Sequence, residues 1–331
     1  MSDVLELTVP PAAAGQVLRV FLADSLPLDP EDFLRQVLVE GKVTLEGEPV
    51  FSREVMRTGQ VVQVHGLAEA RAAYKGEVVR AAVLYEDEHL LVLNKPAGCT
   101  VVRERRSDVC PFQSGVLAHL RKSPASAEAA LRTRYRPRAV HRLDRETTGA
   151  VIVAKSREGE RHLALQFQER TIRKEYLAIV CGEPADDRGE IDVVISERAG
   201  DIERMSTGGR EGKKSLTAYE VVERFNGYAL VRAEPKTGRR HQIRLHLAHI
   251  GHPVLADRLY GGGTELLLSS LKRRYKLSSG EKEKPLIARP ALHAHALEFL
   301  PVGRETPLRI EAPLPRDMEV ALKMLRKHAG R

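Results

Sequence analysis

One carboxylate stands out by its company. Asp144 lies in the stretch Arg138-Ala-Val-His-Arg-Leu-Asp-Arg-Glu-Thr-Thr-Gly149, two residues after Arg142 and directly before Arg145. The apolar run Ala150-Val-Ile-Val-Ala154 follows and reads as a buried strand, so the acid sits at the edge of a core among cations. Burial opposes an ionised carboxylate and nearby cations favour it. An acid kept charged in such a place is a candidate nucleophile or charge stabiliser. The plain structural alternative is a turn or cap residue paired with a neighbouring arginine.

Other chemistries are weaker. His246, His249 and His252 recur every three residues, but no His-Glu-x-x-His frame accompanies them, and Gly251 and Pro253 break the helix beneath the third. No metal is expected. His293 and His295 share a strand face, yet two ligands make no site. Gly208-Gly-Arg-Glu-Gly-Lys-Lys-Ser215 fails a phosphate loop twice, with Thr207 where Gly is needed and Lys214 where a hydroxyl is needed. No Gly-x-Ser-x-Gly elbow occurs.

The elements that must position Asp144 fall into two groups. Residues 1–66 carry Val17, Leu18, Phe21 and Leu22, then Phe33, Leu34, Val37 and Leu38, at helical spacing. Asp29-Pro30-Glu31-Asp32 reads as an N-cap, a first-turn proline and first-turn acids. Short strands are expected at 42–45, 49–50 and 60–64. Residues 67–80 lack periodicity and read as a linker. From residue 81 a strand, an acidic turn and a second strand run from Val83 to Leu93, and a helix covers Glu158 to Gln168. Arg173 to Val180 reads as a core strand, and Phe225-Asn-Gly227 joins two alternating runs as a hairpin. A helix carrying Ile243, Leu247 and Ile250 ends at Gly251. Six arginines from Arg132 to Arg145 lead into the Asp144 stretch, as a solvated face or a phosphate-steering surface. Gly262 to Lys284 interrupts the pattern as an insertion.

The whole chain has 331 residues, with 53 Lys and Arg against 45 Asp and Glu, a net charge of +8 that is compatible with a polyanionic partner. Three scattered cysteines form neither a disulfide framework nor a zinc knuckle. No signal peptide or bilayer-length apolar run is read, so a cytoplasmic protein without membrane association is expected.

His141-Arg-Leu-Asp-Arg-Glu-Thr-Thr-Gly149 resembles the HRLD-x-x-T-[ST]-G signature of the RluA-type pseudouridine synthases. Further runs are similar to that family in the same order: Tyr85-Glu-Asp to Gly98, Lys174-Glu-Tyr176-Leu-Ala-Ile-Val180, Thr237-Gly-Arg-Arg-His-Gln-Ile-Arg-Leu-His246, and Gly251-His-Pro to Gly261. The resemblance covers roughly residues 80 to 330. It implies an α+β fold: a mixed, mostly antiparallel central sheet with flanking helices. Residues 1–66, with their two helices and small strands, resemble a small S4-like α/β RNA-binding module. Asp29, Glu31 and Asp32, however, stand where S4 domains carry small and basic residues, and acids there repel RNA.

By the same resemblance the protein isomerises uridines in RNA to pseudouridine, ribosomal RNA before transfer RNA, without a cofactor. Asp144 is the implied catalytic carboxylate, Arg244 its ion-pair partner and Tyr176 the residue packed on the base. Arg142 is implied to hold the flipped nucleotide or fill its place, and His141, Leu143, Arg239, Gln242, Ile243 and Leu245 to line the substrate site. Arg240 replaces the family's usual threonine. The competing readings are a non-catalytic RNA-binding or ribosome-assembly protein on the same fold, and an RNA N-glycosylase that would release free uracil.

Overall fold

In the computed structural model, which describes residues 3–76, 78–102, 110–198, 201–209, 211–272, 275 and 282–330, the chain opens with β1 (Val4–Thr8), α1 (Leu18–Ser25), α2 (Glu31–Val39), β2 (Val43–Leu45), β3 (Glu48–Pro49) and β4 (Val61–His65). The strands pair antiparallel in the order β1-β4-β2-β3. Leu18, Phe21 and Leu22 of α1 and Phe33, Leu34, Val37 and Leu38 of α2 are the apolar stripes expected from their spacing, and they bury against Val43, Val62 and Val64.

Two details differ from the sequence reading. The supposed linker begins with a helix, α3 (Leu67–Ala73), whose Leu67 and Ala70 join the same small core. That short Ala-rich helix shows too few apolar positions to reveal a period. Asp29 does not cap α2, whose N-cap is Pro30 without a side-chain bond. Instead Asp29 is 1% exposed and accepts from Arg71 at 3.0 and 2.6 Å and from Arg121 at 2.6 Å. Asp32 accepts from Tyr74. Of the acids out of place for RNA contact, Asp29 thus clasps the module to the body through Arg71 and Arg121, while Glu31 lies 3.8 Å from Arg19 within the module.

The body continues with β5 (Ala82–Glu86), β6 (Leu90–Lys95), α4 (Pro111–Arg121), α5 (Pro124–Thr133), β7 (Arg138–Ala139), β8 (Thr148–Ala154), α6 (Arg157–Glu169), β9 (Arg173–Cys181), β10 (Arg188–Asp192), β11 (Ile195–Arg198) and β12 (Asp201–Thr207). Then come β13 (Leu216–Phe225), β14 (Tyr228–Pro235), α7 (Gln242–His249), α8 (Leu268–Leu271), β15 (Leu292–Phe299), β16 (Leu308–Glu311) and α9 (Arg316–His328). Ten strands form one sheet in the order β10-β13-β14-β9-β15-β8-β6-β5, with β16 beside β15 and β7 beside β8. Its pairings are antiparallel except β15 with β8, so the sheet is mixed and mostly antiparallel as expected. β8 is buried from end to end, which explains its unbroken apolar run.

Of the six arginines of the run, Arg132, Arg134, Arg138, Arg142 and Arg145 are exposed. Arg132 belongs to α5, Arg138 pairs with Glu160 at 3.3 Å, and Arg136 is half-buried, its pKa lowered by burial against the opposing charges of Glu31, Asp29 and Asp24. Within the 262–284 insertion Leu266 exchanges backbone hydrogen bonds with Leu286 and Ile287. The basic residues Arg273, Arg274 and Lys276 and the Ser278–Glu281 stretch lie outside the described residues, as does Arg210 of the glycine-rich segment. Among the described residues no helix is long and apolar enough to cross a membrane.

Candidate active site

The Asp144 segment is a loop tied down by its carbonyls. Thr147 N donates to Asp144 O at 3.1 Å, closing a turn, and Arg145 O accepts from Gly98 N at 3.0 Å. Arg145 O also accepts from Lys95 Nζ at 3.0 Å, and Glu146 O from Arg289 Nη1 at 3.0 Å. Lys95 is 0% exposed, and burial draws its pKa down to about 8. The loop feeds β8 through Gly149, whose φ of +118° suits glycine, and a Cβ there would stand 2.2 Å from Ala294 O on β15. The last glycine of the Asp144 stretch is therefore set by close backbone approach.

Arg244 reaches this loop from α7, 100 residues onward in sequence. Its Nη1 donates to Asp144 Oδ2 at 3.2 Å, while Nε and Nη2 donate to Asp257 Oδ2 and Oδ1 at 2.6 and 2.8 Å. Burial works against the charge on Arg244, but hydrogen-bonded Asp257 and then Asp144 outweigh it and raise its pKa above the ordinary value. The Arg244 guanidinium also lies 5.2 Å from the Tyr260 ring centroid. His241, left-handed at φ 55° before α7, sets Nδ1 2.9 Å from the Tyr260 hydroxyl and Nε2 3.9 Å from Asp144 Oδ2. Burial pushes its pKa down to about 4 despite Asp144, so the ring is neutral near pH 7.

Tyr176 stands on β9, where β14 and β15 flank it opposite Ala233 and Ala294. Burial first, and then the Asp144 charge, raise its pKa well above the ordinary tyrosine value. Asp144, Tyr176 and Arg244 line one cavity of about 680 Å³, inside the range of about 300–1,000 Å³ common for small-ligand sites. Eight cationic side chains (Arg142, Arg170, Arg173, Lys174, Lys236, Arg239, Arg240 and Arg244) and two acids (Asp144 and Glu234) line it, so the wall favours an anionic guest.

Of the other expected residues, Arg142, His141, Leu143, Arg239, Gln242 and Ile243 also line this cavity. Arg142 is exposed. His141 packs its ring 5.2 Å from Phe167, accepts from Ile152 N through Nε2 and is held neutral by burial and then by the Lys174 charge, with a pKa of about 3. Gln242 is buried and fully engaged: Oε1 accepts from Thr237 Oγ1 and Arg239 N, and Nε2 donates to Leu216 O and Thr217 Oγ1. It braces the loop and has no group left for a substrate. Leu245 is buried and is not among the residues that line the cavity. The histidines weighed as metal ligands serve as braces, His246 against Ser215 Oγ and His252 against Cys181 O.

Sequence reasoning passed over Asp257, His241, Tyr260, Lys95 and Arg289. Asp257 was visible only as an acid in Leu255-Ala-Asp-Arg-Leu-Tyr-Gly261, with nothing local to show that it meets an arginine 13 residues earlier.

A family model described as RNA pseudouridylate synthase matches residues 89–249. The ribosomal large subunit pseudouridine synthase D of Xylella fastidiosa is 35% identical over 100% of this chain and 96% of its own length. The protein of the same name from Xanthomonas campestris is 33% identical over 100% of this chain and 95% of its own. Among solved structures, human RNA pseudouridylate synthase domain containing 4 is similar, with a TM-score of 0.54 and 26% identity over 78% of this chain and 96% of that one. With a buried arginine joining the Asp144 loop to α7 inside a cation-lined cavity, and with relatives matched along its whole length, the chain belongs to the RluA-type family of RNA pseudouridine synthases, enzymes that isomerise uridine in RNA.

Proposed function

We propose that this enzyme converts uridines of large-subunit ribosomal RNA to pseudouridine, with Asp144 as the carboxylate that works at the ribose. The observation that carries the reading is the 3.2 Å contact of Asp144 with Arg244 inside the cavity. Isomerisation breaks the N1–C1′ bond and rejoins the same base through C5, so no atom is added and no electron is lost. Asp144 either bonds to C1′ as the base leaves or takes a sugar proton; Arg244 holds it in place, with the neutral His241 ring 3.9 Å away. Tyr176 stays protonated at neutral pH, so it serves as a wall for the base and a hydroxyl donor rather than as a phenolate base for the C5 proton. A uridine reaches this depth only out of its stack, and Arg142 at the mouth suits the space it leaves.

The names of the relatives favour a ribosomal substrate, and a cytoplasmic place of action is read with it. The N-terminal module, residues 1–66 extended by α3, is read as S4-like, a second RNA-binding unit ahead of the catalytic domain at 81–331. Asp144→Asn is expected to abolish tritium release from 5-³H-uridine ribosomal RNA while RNA affinity stays within about threefold. Retained turnover removes Asp144 from the chemistry, and release of free uracil makes the enzyme a glycosylase.

A further inference from the structure

Part of the cavity takes no share in the chemistry at Asp144. Lys174 precedes Tyr176 by two residues on β9, so the two side chains leave the same strand face about 6.6 Å apart, and both line the cavity. The Lys174 ammonium has one hydrogen-bond partner among the described residues, the Thr237 carbonyl, at a long 3.4 Å. The charge it feels is that of another cation, Arg170, and burial together with Arg170 lowers its pKa. The second acid of the lining is engaged elsewhere: Glu234 holds Lys236 at 2.8 Å and approaches Arg173 at 3.9 Å. Two residues past Thr237, Arg239 keeps a buried Nε without a hydrogen-bond partner among the described residues. A half-buried ammonium beside a cation, with no ion pair to an acid among the described residues, is electrostatically incomplete. An anion that arrives with the substrate completes it, and RNA brings one at every nucleotide.

We propose that Lys174, with Arg170 and Arg239 beside it, forms a phosphate subsite that grips the RNA backbone next to the target uridine while Tyr176 and Asp144 face the base and sugar. The subsite rests on the reading that the cavity takes a uridine of RNA. The other role open to Lys174 is bracing the Thr237 carbonyl, and salt dependence separates the two. Each phosphate neutralised on a single strand contributes about 0.7 to the slope of log affinity against log salt.

The test is filter binding of an in vitro transcript of large-subunit ribosomal RNA to full-length protein carrying Asp144→Asn, alone and with Lys174→Gln or Lys174→Arg, from about 50 to 300 mM KCl. Lys174→Gln is expected to weaken binding about tenfold at low salt and to flatten the slope by about 0.7, and Lys174→Arg to keep the slope. With Asp144 intact, Lys174→Gln should raise KM and leave kcat within about twofold. An unchanged slope overturns the subsite, and a fall in kcat at unchanged slope assigns Lys174 to the Thr237 brace. Tritium release by the wild type runs alongside: its absence indicts the synthase reading, while the slope still decides the phosphate contact.

Discussion

Arg244 and Asp257 meet face to face below the cavity floor, guanidinium Nε and Nη2 on the two carboxylate oxygens at 2.6 and 2.8 Å, with Asp257 fully buried. A planar fork matched to a carboxylate fixes direction as well as distance. The orientation of Arg244 is thus set from behind by Asp257, and Nη1 is what remains for Asp144.

Asp257→Asn should therefore damage catalysis without touching substrate. Loosening the fork misplaces Nη1, and a shift of about 1 Å near reacting groups costs on the order of 100-fold in rate. Tritium release should fall by that order while RNA affinity holds, and full activity would show that Asp144 orients Arg244 unaided.

Removing Arg244 alone strands a buried carboxylate. Arg244→Ala should lose about 3 kcal/mol of stability, read by urea denaturation. Arg244→Met with Asp257→Leu should recover most of that loss and remain inactive, because the pair is replaced by apolar volume while Asp144 stays without its cation. Equal losses in single and double variants would contradict the pairing.

The Asp29 clasp predicts how the N-terminal module is held. Asp29→Ala leaves Arg71 and Arg121 without their shared carboxylate. Trypsin should then cut at Lys75 and Arg80 several times faster than in the wild type, at unchanged secondary structure. An unchanged digestion pattern would mean that apolar contacts alone hold the module.

Acid should destabilise the fold through His293. The ring is fully buried, bonded to Thr148 Oγ1 at 2.8 Å and Ala312 O at 3.2 Å, and burial lowers its pKa from 6.5 to about 4. Between those values the unfolded chain binds a proton that the folded chain refuses, so stability falls as pH drops from 6.5 toward 4. The contribution is on the order of 3 kcal/mol; buried His141 and His241 act in the same direction, so His293→Asn should make the curve measured between about pH 7 and pH 4 shallower without flattening it.

Gly149→Ala should leave little soluble protein. The added Cβ meets a backbone carbonyl in the paired strand at 2.2 Å, and φ of +118° disfavours a side chain in any case. A cost of about 3 kcal/mol or more is expected, readable as loss of soluble expression or as a lowered Tm.

The sequence was most legible where period and punctuation agree. The strands around Asn226-Gly227, the buried run of β8 and the end of α7 at Gly251 followed from local rules. The cavity trio of Asp144, Tyr176 and Arg244 rested on motif resemblance, since nothing local could bring residue 244 to residue 144. Gln242 and Leu245 lay in the right motif, but the Gln242 amide is spent on Thr237, Arg239, Leu216 and Thr217, and Leu245 is not among the residues that line the cavity. Asp29 was read as a helix cap, and Asp257 passed over, for a related reason. Their partners, Arg121 and Arg244, are chosen by tertiary packing, and a lone acid carries no mark of which arginine it will meet.

β15 sits between β9, which carries Tyr176, and β8, which follows the Asp144 loop. It is among the last strands to leave the ribosome during synthesis. Without residues 292–299, β9 lacks one neighbour and β8 its parallel partner, so β15 is the strand that joins the Tyr176 strand to the one that follows the Asp144 loop.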